Sequence, residues 1–279
     1  MSKIGKIALV GAGQMGGSML AGWLRNKRTG IKAENVVIID PAPADFVAEL
    51  IAEHELTHEP QMTAALSTSI DMVVLAVKPQ MFDKIAPFLA PALRDDCAVL
   101  SIMAGLTIKR LAETLGERPI VRAMPNTPSA IGAGISVCVA NAAGDDFQDQ
   151  ATRLLKVAGE VEWVRDERLI GPVTAVSGSG PAYVFLLAEA LAGAGFSEGL
   201  PRELAEKLAR QTIIGAGALL AASDDKTPQE LRREVTSPGG TTQAAIDVLI
   251  GGGGGLPELI RQAVGAAERR SRQMGAVND

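Results

Sequence analysis

A glycine-rich turn near the N-terminus constrains the fold of this chain more than any other feature. Gly11, Gly13 and Gly16 form a Gly-x-Gly-x-x-Gly pattern that follows a short apolar run ending at Val10. Residues 14–27 continue with apolar side chains at helical spacing. A strand, a glycine turn and a helix in this order are typical of a dinucleotide-binding corner, where the helix N-terminus faces a pyrophosphate. A glycine-rich turn without a ligand is the alternative interpretation.

The three glycines have different predicted roles. Gly11 permits a tight turn, Gly13 lets the backbone approach the pyrophosphate, and Gly16 allows the helix to pack closely on the strand. Backbone N–H groups at the start of the helix supply donors for the phosphate oxygens. The candidate cofactor-binding residues of this turn are Gly11, Ala12, Gly13, Gln14, Met15 and Gly16.

Strand and helix patterns alternate through the first part of the chain and then give way to helices alone. Near-continuous apolar strands indicate a buried parallel sheet, whereas the sequence after about residue 168 is rich in Ala, Leu, Glu, Gln and Arg at helical spacing. We therefore predict an α/β dinucleotide-binding domain at residues 1–164 and an all-α domain at residues 165–279. Strands are predicted at 4–10, 36–40, 71–77, 98–102, 119–124, 135–140 and 161–164, and helices at 14–27, 43–54, from 81, and at 146–158, 168–195, 201–222, 227–235, 241–250 and 256–274.

Length, composition and charge limit the possible classes of function. With 279 residues, the chain is long enough for about two domains. Apolar residues make up 47% and charged residues 21%, which is typical of a packed globular protein. The net charge of -5 offers no positive field for a phosphate backbone, so nucleic acid is not expected as a partner.

Cysteine content and apolar runs indicate the compartment. Cys97 and Cys138 are the only cysteines, and neither belongs to a CxxC or Cys/His cluster, so no metal site is predicted. The N-terminus lacks the apolar core of a secretory signal. Gly, Ser and charged residues interrupt every apolar run before it reaches the roughly 18 residues of a membrane-spanning helix. We expect a cytoplasmic protein that binds a small metabolite and no membrane.

Asp40 ends the second predicted strand, 24 residues beyond Gly16. A carboxylate at this place commonly accepts hydrogen bonds from the adenosine ribose hydroxyls and repels a 2'-phosphate, which favours NADH. In the alternative interpretation, Asp40 only opens a turn with Pro41.

Three more loops follow predicted strands, and the carboxyl ends of such strands form the ligand crevice of a doubly wound sheet. Lys78 could face a cofactor phosphate or ribose, although a solvated surface lysine is the alternative. Asn126 offers an amide donor and acceptor in a loop stiffened by two prolines, and an ordinary turn is the alternative. The candidate cofactor-binding residues of these loops are Val77, Lys78, Pro79, Ala104, Gly105 and Asn126.

Two segments of the helical half have unusual composition. Residues 177–181, Ser-Gly-Ser-Gly-Pro, interrupt a helix pattern with residues that weaken it, which fits either a close backbone approach to a ring or a simple turn between helices. Residues 236–242, Thr-Ser-Pro-Gly-Gly-Thr-Thr, place N–H groups and hydroxyls before a predicted helix. Such a helix N-terminus can bind an anion, and a capped loop without a ligand is the alternative.

Some common catalytic motifs are absent, which narrows the reaction. The sequence has no GxSxG, HExxH or P-loop pattern, and His54 and His58 lie in a polar stretch that we interpret as surface, away from the predicted ligand rim. Reduction of an iminium needs few acid–base side chains, because its carbon already accepts hydride and its nitrogen carries the proton. Positioning would do most of the work.

Five segments of the chain resemble the pyrroline-5-carboxylate reductase family, and the resemblance extends along nearly the whole sequence. It implies an N-terminal Rossmann-type domain and an all-α C-terminal domain for substrate binding and dimerisation, with NADPH or NADH as cofactor. The implied reaction reduces 1-pyrroline-5-carboxylate to L-proline, the last step of proline biosynthesis. The segments are GAGQMGGSML at 11–20, AVKPQ at 76–80, RAMPNTPSAIGAGIS at 122–136, SGSGPAYVF at 177–185 and VTSPGGTTQAAIDVL at 235–249.

The resemblance also implies roles for single residues. The Thr242 hydroxyl would hydrogen-bond the ring nitrogen as the catalytic group, and Lys78 and Asn126 would join the glycine turn in binding the cofactor. The active site would form where the nicotinamide edge of one subunit meets a helical domain, in a homo-oligomer built from dimers. The backbone groups that would hold the substrate carboxylate are those of Ser237, Gly239, Gly240 and Thr241.

One departure from the family concerns the cofactor. Many relatives end the second strand with polar or basic residues suited to the phosphate of NADPH, whereas this chain has Asp40 followed by Pro41. The departure disfavours a preference for NADPH but leaves the reaction unchanged, since the hydride chemistry belongs to the nicotinamide.

Two rival functions use the same architecture. A 3-hydroxyacid dehydrogenase or another imine reductase is the first, but a lysine general acid typical of the hydroxyacid enzymes is missing from residues 170–195. A cofactor-sensing protein that has lost catalysis is the second, because fold alone does not establish function. Substrate-dependent oxidation of the cofactor distinguishes the enzyme from the sensor.

Overall fold

The computed structural model describes residues 5–26, 30–63, 66 and 68–278. The chain divides into two compact units, Met1–Gly178 with Glu268–Asp279, and Ser179–Ala267. The first unit therefore continues beyond residue 164, where the sequence places the boundary between the domains.

The first unit is built on an eight-stranded sheet with the order β3-β2-β1-β4-β5-β6-β7-β8. Neighbouring strands are parallel except for β6 and β7, which are antiparallel. This parallel-dominated sheet confirms the predicted Rossmann-type architecture. The strands are β1 (Ile7–Val10), β2 (Val36–Ile39), β3 (Thr57–Glu59), β4 (Met72–Leu75), β5 (Ala98–Ser101), β6 (Ile120–Met124), β7 (Gly134–Ala140) and β8 (Gly159–Trp163).

Two features of the sheet correct the sequence analysis. Strand β3 was not predicted, because it has only three residues, which are polar and mostly exposed, and it pairs on one side only. Strand β7 runs antiparallel to β6, although a parallel sheet was predicted. Residues 125–133 join these two strands, and so short a connection cannot hold the crossover that a parallel pair needs.

Helices cover both faces of the sheet. Side chains of β1 alternate, so that Ile7 and Leu9 join one apolar cluster and Ala8 and Val10 join the other. Trp23 is fully buried in the first cluster, where its Nε1 donates to the Leu154 carbonyl oxygen at 2.8 Å. The helices are α1 (Gln14–Arg25), α2 (Asp45–Glu53), α3 (Phe82–Leu89), α4 (Ile108–Leu115), α5 (Gln148–Leu155) and α6 (Ile170–Val173).

The rest of the chain is helical, as predicted. Helix α10 has the predicted bounds because glycines stand on both sides of it, Gly240 before and Gly251 after. The glycine run 251–255 forms a turn in which Gly253 has a φ of +69°. The helices are α7 (Gly180–Ser197), α8 (Arg202–Ala221), α9 (Pro228–Glu234), α10 (Thr241–Ile250) and α11 (Leu256–Asn278).

The predicted helix at 168–195 contains an irregular turn. After α6, the backbone of Thr174–Gly178 widens into a π-turn, and α7 begins at Gly180 with Pro181 in its first turn. Proline is tolerated there because the first N–H groups of a helix have no intrahelical acceptor. π-turns of this kind are frequent at functional sites.

The helical segment Glu167–Ser197 is long and apolar enough to cross a membrane by length and composition alone. No such segment was predicted from the sequence, because Gly, Ser and charged residues interrupt the apolar runs. The same properties fit a helix that packs against another protein chain. The segment lies in the half of the chain for which the family resemblance implies dimerisation.

Both cysteine thiols should be unreactive in the folded protein. Burial raises the pKa of Cys97 to about 11 and that of Cys138 to about 12, from an ordinary value of 9.0. At pH 8, an aromatic disulfide reagent should therefore label both thiols only after urea is added. Because the pKa of each thiol is higher in the folded than in the unfolded protein, the neutral thiols contribute fully to stability below pH 9. This contribution falls as the pH rises above 9 and is lost once the pH has passed 11 to 12. Rapid labelling without urea would contradict the burial of these side chains.

Candidate functional site

The glycine turn between β1 and α1 has the geometry that its sequence predicts. Gly11 has a φ of +96°, and a Cβ there would lie 2.7 Å from the backbone nitrogen of Val77. A Cβ on Gly16 would lie 2.2 Å from the Gly11 carbonyl oxygen. A side chain at Gly11 or Gly16 would therefore collide with backbone atoms that close the turn.

Gly13 differs from the other two glycines because none of the described residues crowds it. It is the N-cap of α1 with a φ of -78°, and a Cβ there would meet no atom within 4 Å. The helix start has no side-chain cap and no acidic residue in its first turn. Free backbone donors and open space beside them suit a phosphate group, so this turn fits the pyrophosphate of a dinucleotide.

Asp40 follows β2 and is fixed against the glycine turn. Its Oδ2 accepts a hydrogen bond from the Ala12 backbone nitrogen at 2.6 Å, and its Oδ1 accepts one from the Ala42 nitrogen at 2.8 Å. The bond from the Ala42 nitrogen forms part of a turn, as in the alternative interpretation that Asp40 only opens a turn with Pro41. The first bond places the carboxylate beside the glycine turn as well, so the two interpretations are compatible.

His58 lies beside Asp40, which corrects the sequence analysis. Strand β3 pairs with β2, and His58 Nε2 is 2.8 Å from the Asp40 carbonyl oxygen. The imidazole is exposed, as predicted, but it is close to the ligand rim and not away from it. The polar strand β3 gave no apolar pattern from which this neighbourhood could be predicted. His54 is half-buried and ends α2.

The loop after β4 approaches the glycine turn from the other side. Val77 lies next to Gly11. The Lys78 carbonyl oxygen accepts a hydrogen bond from the Met81 nitrogen at 2.8 Å. Pro79 begins the short 3-10 turn that follows. The Lys78 side chain is exposed on this rim, and its contact with a cofactor stays a prediction.

The loop after β6 holds Asn126 in a fixed orientation. Its Oδ1 accepts a hydrogen bond from the Ile135 nitrogen at 2.9 Å. This bond engages the amide oxygen and leaves the Nδ2 group as a donor for a ligand. A Cβ on Gly178, the last residue of the π-turn, would lie 3.2 Å from Cε of Met124, two residues before Asn126. The π-turn therefore lies close to the Asn126 loop.

The loop after β5 contains the remaining predicted cofactor residues. Ala104 and Gly105 are half-buried, and Gly105 has a φ of +75°. Because β4, β5 and β6 are parallel, the loop after β5 lies at the carboxyl ends of these strands, together with the loops after β4 and β6.

A partly buried ion pair between Arg122 and Glu167 was not predicted. Arg122 on β6 donates from Nη1 to Glu167 Oε1 at 2.6 Å, and the same oxygen accepts the Ile108 nitrogen at 2.8 Å. The side chains are only 10% and 28% exposed. Glu167 thereby joins strand β6 to the start of α4 and to the turn before α6, and no short-range sequence signal could have paired residues so far apart in the chain.

The second unit contains the other candidate site, at the N-terminus of α10. Gly239 has a φ of +69°, and the Gly240 nitrogen donates to the Ser237 carbonyl oxygen at 3.0 Å. The helix start has no side-chain cap and no acidic residue in its first turn. Thr241 is exposed and Thr242 is half-buried. The backbone N–H groups of the first helical turn are available to an anion.

Comparisons with known proteins relate both halves of the chain to one kind of enzyme. A family model described as pyrroline-5-carboxylate reductase dimerisation matches residues 167–274, and one described as NADP oxidoreductase, coenzyme F420-dependent, matches residues 6–105. The pyrroline-5-carboxylate reductase of Pseudomonas aeruginosa is 42% identical over 271 residues, which cover 96% of each chain. That of Synechocystis sp. is 36% identical and covers 97% of this chain and 98% of its own.

Solved structures agree with these sequence matches. A pyrroline-5-carboxylate reductase from Coxiella burnetii superposes with a TM-score of 0.87 at 34% identity, covering 97% of this chain and 98% of its own. A pyrroline carboxylate reductase from Plasmodium falciparum, solved with NADP bound, gives a TM-score of 0.79 at 30% identity and covers 99% of this chain and 100% of its own.

Proposed function

The chain belongs to the pyrroline-5-carboxylate reductase family, and we propose which of its residues bind the cofactor and which bind and orient the substrate. It is an NAD(P)H-dependent oxidoreductase that reduces the C=N bond of 1-pyrroline-5-carboxylate to give L-proline. The observation that carries the proposal is that α1 and α10 each begin directly after a glycine residue of a loop, without a side-chain cap and without an acidic residue in the first turn. One follows the dinucleotide turn, and the other follows the Ser-Pro-Gly-Gly loop.

The residues of the first unit hold the cofactor, which supplies the hydride when it is bound. The backbone of the turn from Gly11 to Gly16 binds the pyrophosphate, because α1 offers donors there and Gly13 leaves space for the phosphates. Asp40 accepts hydrogen bonds from the adenosine ribose. Lys78 provides a cation on the rim of the crevice. Val77, Pro79, Ala104 and Gly105 shape the walls of the same crevice.

Asn126 acts as a hydrogen-bond donor to the cofactor. The Ile135 nitrogen already engages its Oδ1, so the amide presents Nδ2 to a ligand. The two prolines of the loop, Pro125 and Pro128, restrict its backbone and keep this donor in place. A fixed donor of this kind lowers the entropy lost on binding.

The N-terminus of α10 binds the substrate carboxylate. The Gly240 N–H group already donates to the Ser237 carbonyl oxygen, so its role is to fix the shape of the loop. The N–H groups of Gly239 and Thr241 are therefore the proposed donors to the carboxylate. The positive end of the helix dipole adds to this attraction. The Ser237 N–H group completes the proposed cradle.

The Thr242 hydroxyl accepts a hydrogen bond from the protonated ring nitrogen. The reaction forms a C–H bond at the imine carbon, and the π electron pair of the C=N bond moves to that nitrogen. The proton on nitrogen stays there, so no side chain has to deliver one during this step. Thr242 therefore orients the ring and stabilises its protonated form, which is consistent with the few acid–base groups in the motifs.

The protein is a homo-oligomer, and we propose that it is assembled from dimers. Its second unit contains the matched dimerisation region. Helix α7 has no buried residue within the chain, and Phe185 and Leu186 are 68% and 64% exposed. An apolar helix of this kind needs a partner surface. A second copy of the chain provides it. The cytoplasmic location stays a prediction.

The first test is the oxidation of NADH and of NADPH by the purified protein with 1-pyrroline-5-carboxylate at neutral pH, followed by absorbance at the reduced nicotinamide band. We expect substrate-dependent oxidation because both anion-binding helix starts are intact. A protein that binds either cofactor but oxidises neither would be a sensor and not a reductase. Omission of the substrate is the control.

A further inference from the structure

Every polar group of Asp40 is engaged. Its two carboxylate oxygens accept from the Ala12 and Ala42 nitrogens at 2.6 and 2.8 Å, and its backbone nitrogen donates to the Glu59 carbonyl oxygen at 3.1 Å. Its own carbonyl oxygen is 2.8 Å from His58 Nε2, which must be the donor because a carbonyl oxygen only accepts. The carboxylate therefore cannot turn away when a ligand arrives.

The segment around Asp40 contains no compensating cation. Between Lys32 and Lys78, the sequence has no lysine or arginine, and its formally charged side chains are all carboxylates. After Asp40, the connection from β2 to α2 consists of Pro and Ala, and α2 then begins with the acidic residue Asp45. Recognition of a 2'-phosphate usually requires an arginine or another cation at this place.

The fixed carboxylate still has acceptor capacity for a ribose. Two carboxylate oxygens offer about four lone-pair sites, of which the Ala12 and Ala42 nitrogens use one on each oxygen. The remaining sites suit the hydroxyl donors of an unmodified adenosine ribose. A 2'-phosphate has no hydroxyl to donate at that position, and its negative charges would face a carboxylate that cannot move.

We propose that Asp40 makes this enzyme selective for NADH over NADPH. The inference rests on the proposed function and adds which of the two cofactors the site uses. Like charges placed side by side in a binding site weaken binding strongly, so the preference should be about tenfold or more.

The test compares two adenosine fragments by isothermal titration calorimetry on the full-length protein. The fragments are 5'-AMP and adenosine 2',5'-bisphosphate, which differ only in the 2'-phosphate. We expect 5'-AMP to bind about tenfold more tightly or better, and NADH to exceed NADPH in kcat/KM by a similar factor. Equal or tighter binding of the bisphosphate would overturn the proposal. This measurement needs no turnover, so it decides the inference even if the reductase activity fails.

Two variants test the cause of the preference. Asp40→Asn removes the charge, although it leaves one of the two backbone nitrogens without an acceptor. Ala42→Arg adds a cation to the exposed turn and keeps both bonds of Asp40, because Ala42 contributes only its backbone nitrogen. Both should shift the fragment ratio toward the bisphosphate by about tenfold, whereas Glu49→Gln on α2 should leave it unchanged. A ratio that stays the same in Ala42→Arg would assign the selectivity to another residue.

Discussion

Replacing Thr242 by alanine should lower turnover about a hundredfold, in the range seen when one polar group at a reacting centre is removed. The change deletes the hydroxyl proposed to hold the ring nitrogen, while the backbone N–H group at position 242 remains. Thr242 is not among the residues proposed to bind the cofactor, so dinucleotide affinity should not change. Initial rates at saturating cofactor, together with a fluorescence titration of NADH, measure the two quantities separately.

Thr242→Ser is the matched control for this prediction. It keeps a hydroxyl at the same point in the first turn of α10 and should retain most of the turnover. A parallel loss in serine and alanine variants would point to packing of the threonine methyl group instead. Equal turnover of Thr242→Ala and the unaltered protein would remove the hydroxyl from the mechanism.

Features that depend on short stretches of chain could be predicted from the sequence. The strand, turn and helix around Gly11 follow from local apolar spacing and from a residue that must adopt a positive φ. The bounds of α10 were predicted because Gly240 and Gly251 stand at its two ends. Each of these signals lies within a few residues of the structure it specifies.

Features that depend on distant parts of the chain could not be predicted. Strand β3 is specified by pairing with β2 and not by its own polar residues, so the position of His58 beside Asp40 was missed. The ion pair of Arg122 with Glu167 joins residues 45 positions apart, and no spacing rule relates them. The direction of β7 depends on the length of the connection before it.

The sequence predicts which polar residues belong to the candidate site. It does not predict which of their atoms are free to bind a ligand. The sequence names Asn126 and Gly240, yet only the structure indicates that Asn126 Oδ1 is engaged by Ile135 and that the Gly240 nitrogen is engaged by Ser237. A ligand can use only what the fold has left unpaired. This distinction decides which atoms of these residues are proposed to contact cofactor and substrate.

Gly13→Val should weaken NADH binding at least about tenfold, or about 1.4 kcal/mol, while lowering the melting temperature less than Gly16→Ala does. Gly13 has a φ of -78°, which valine adopts without strain, and a Cβ there meets no atom within 4 Å in the described part of the chain. This Cβ would stand in the space proposed for the pyrophosphate. Calorimetric titration with NADH and a thermal melt of the unliganded protein measure the two effects.

Gly16→Ala should behave in the opposite order, because its Cβ would lie 2.2 Å from the Gly11 carbonyl oxygen within the protein itself. A backbone atom cannot give way as a flexible side chain can, so the variant should melt at a lower temperature even without a ligand. Together, the two variants separate a glycine needed for binding from one needed for packing. Unaltered NADH affinity in Gly13→Val would mean that the pyrophosphate does not lie beside the start of α1.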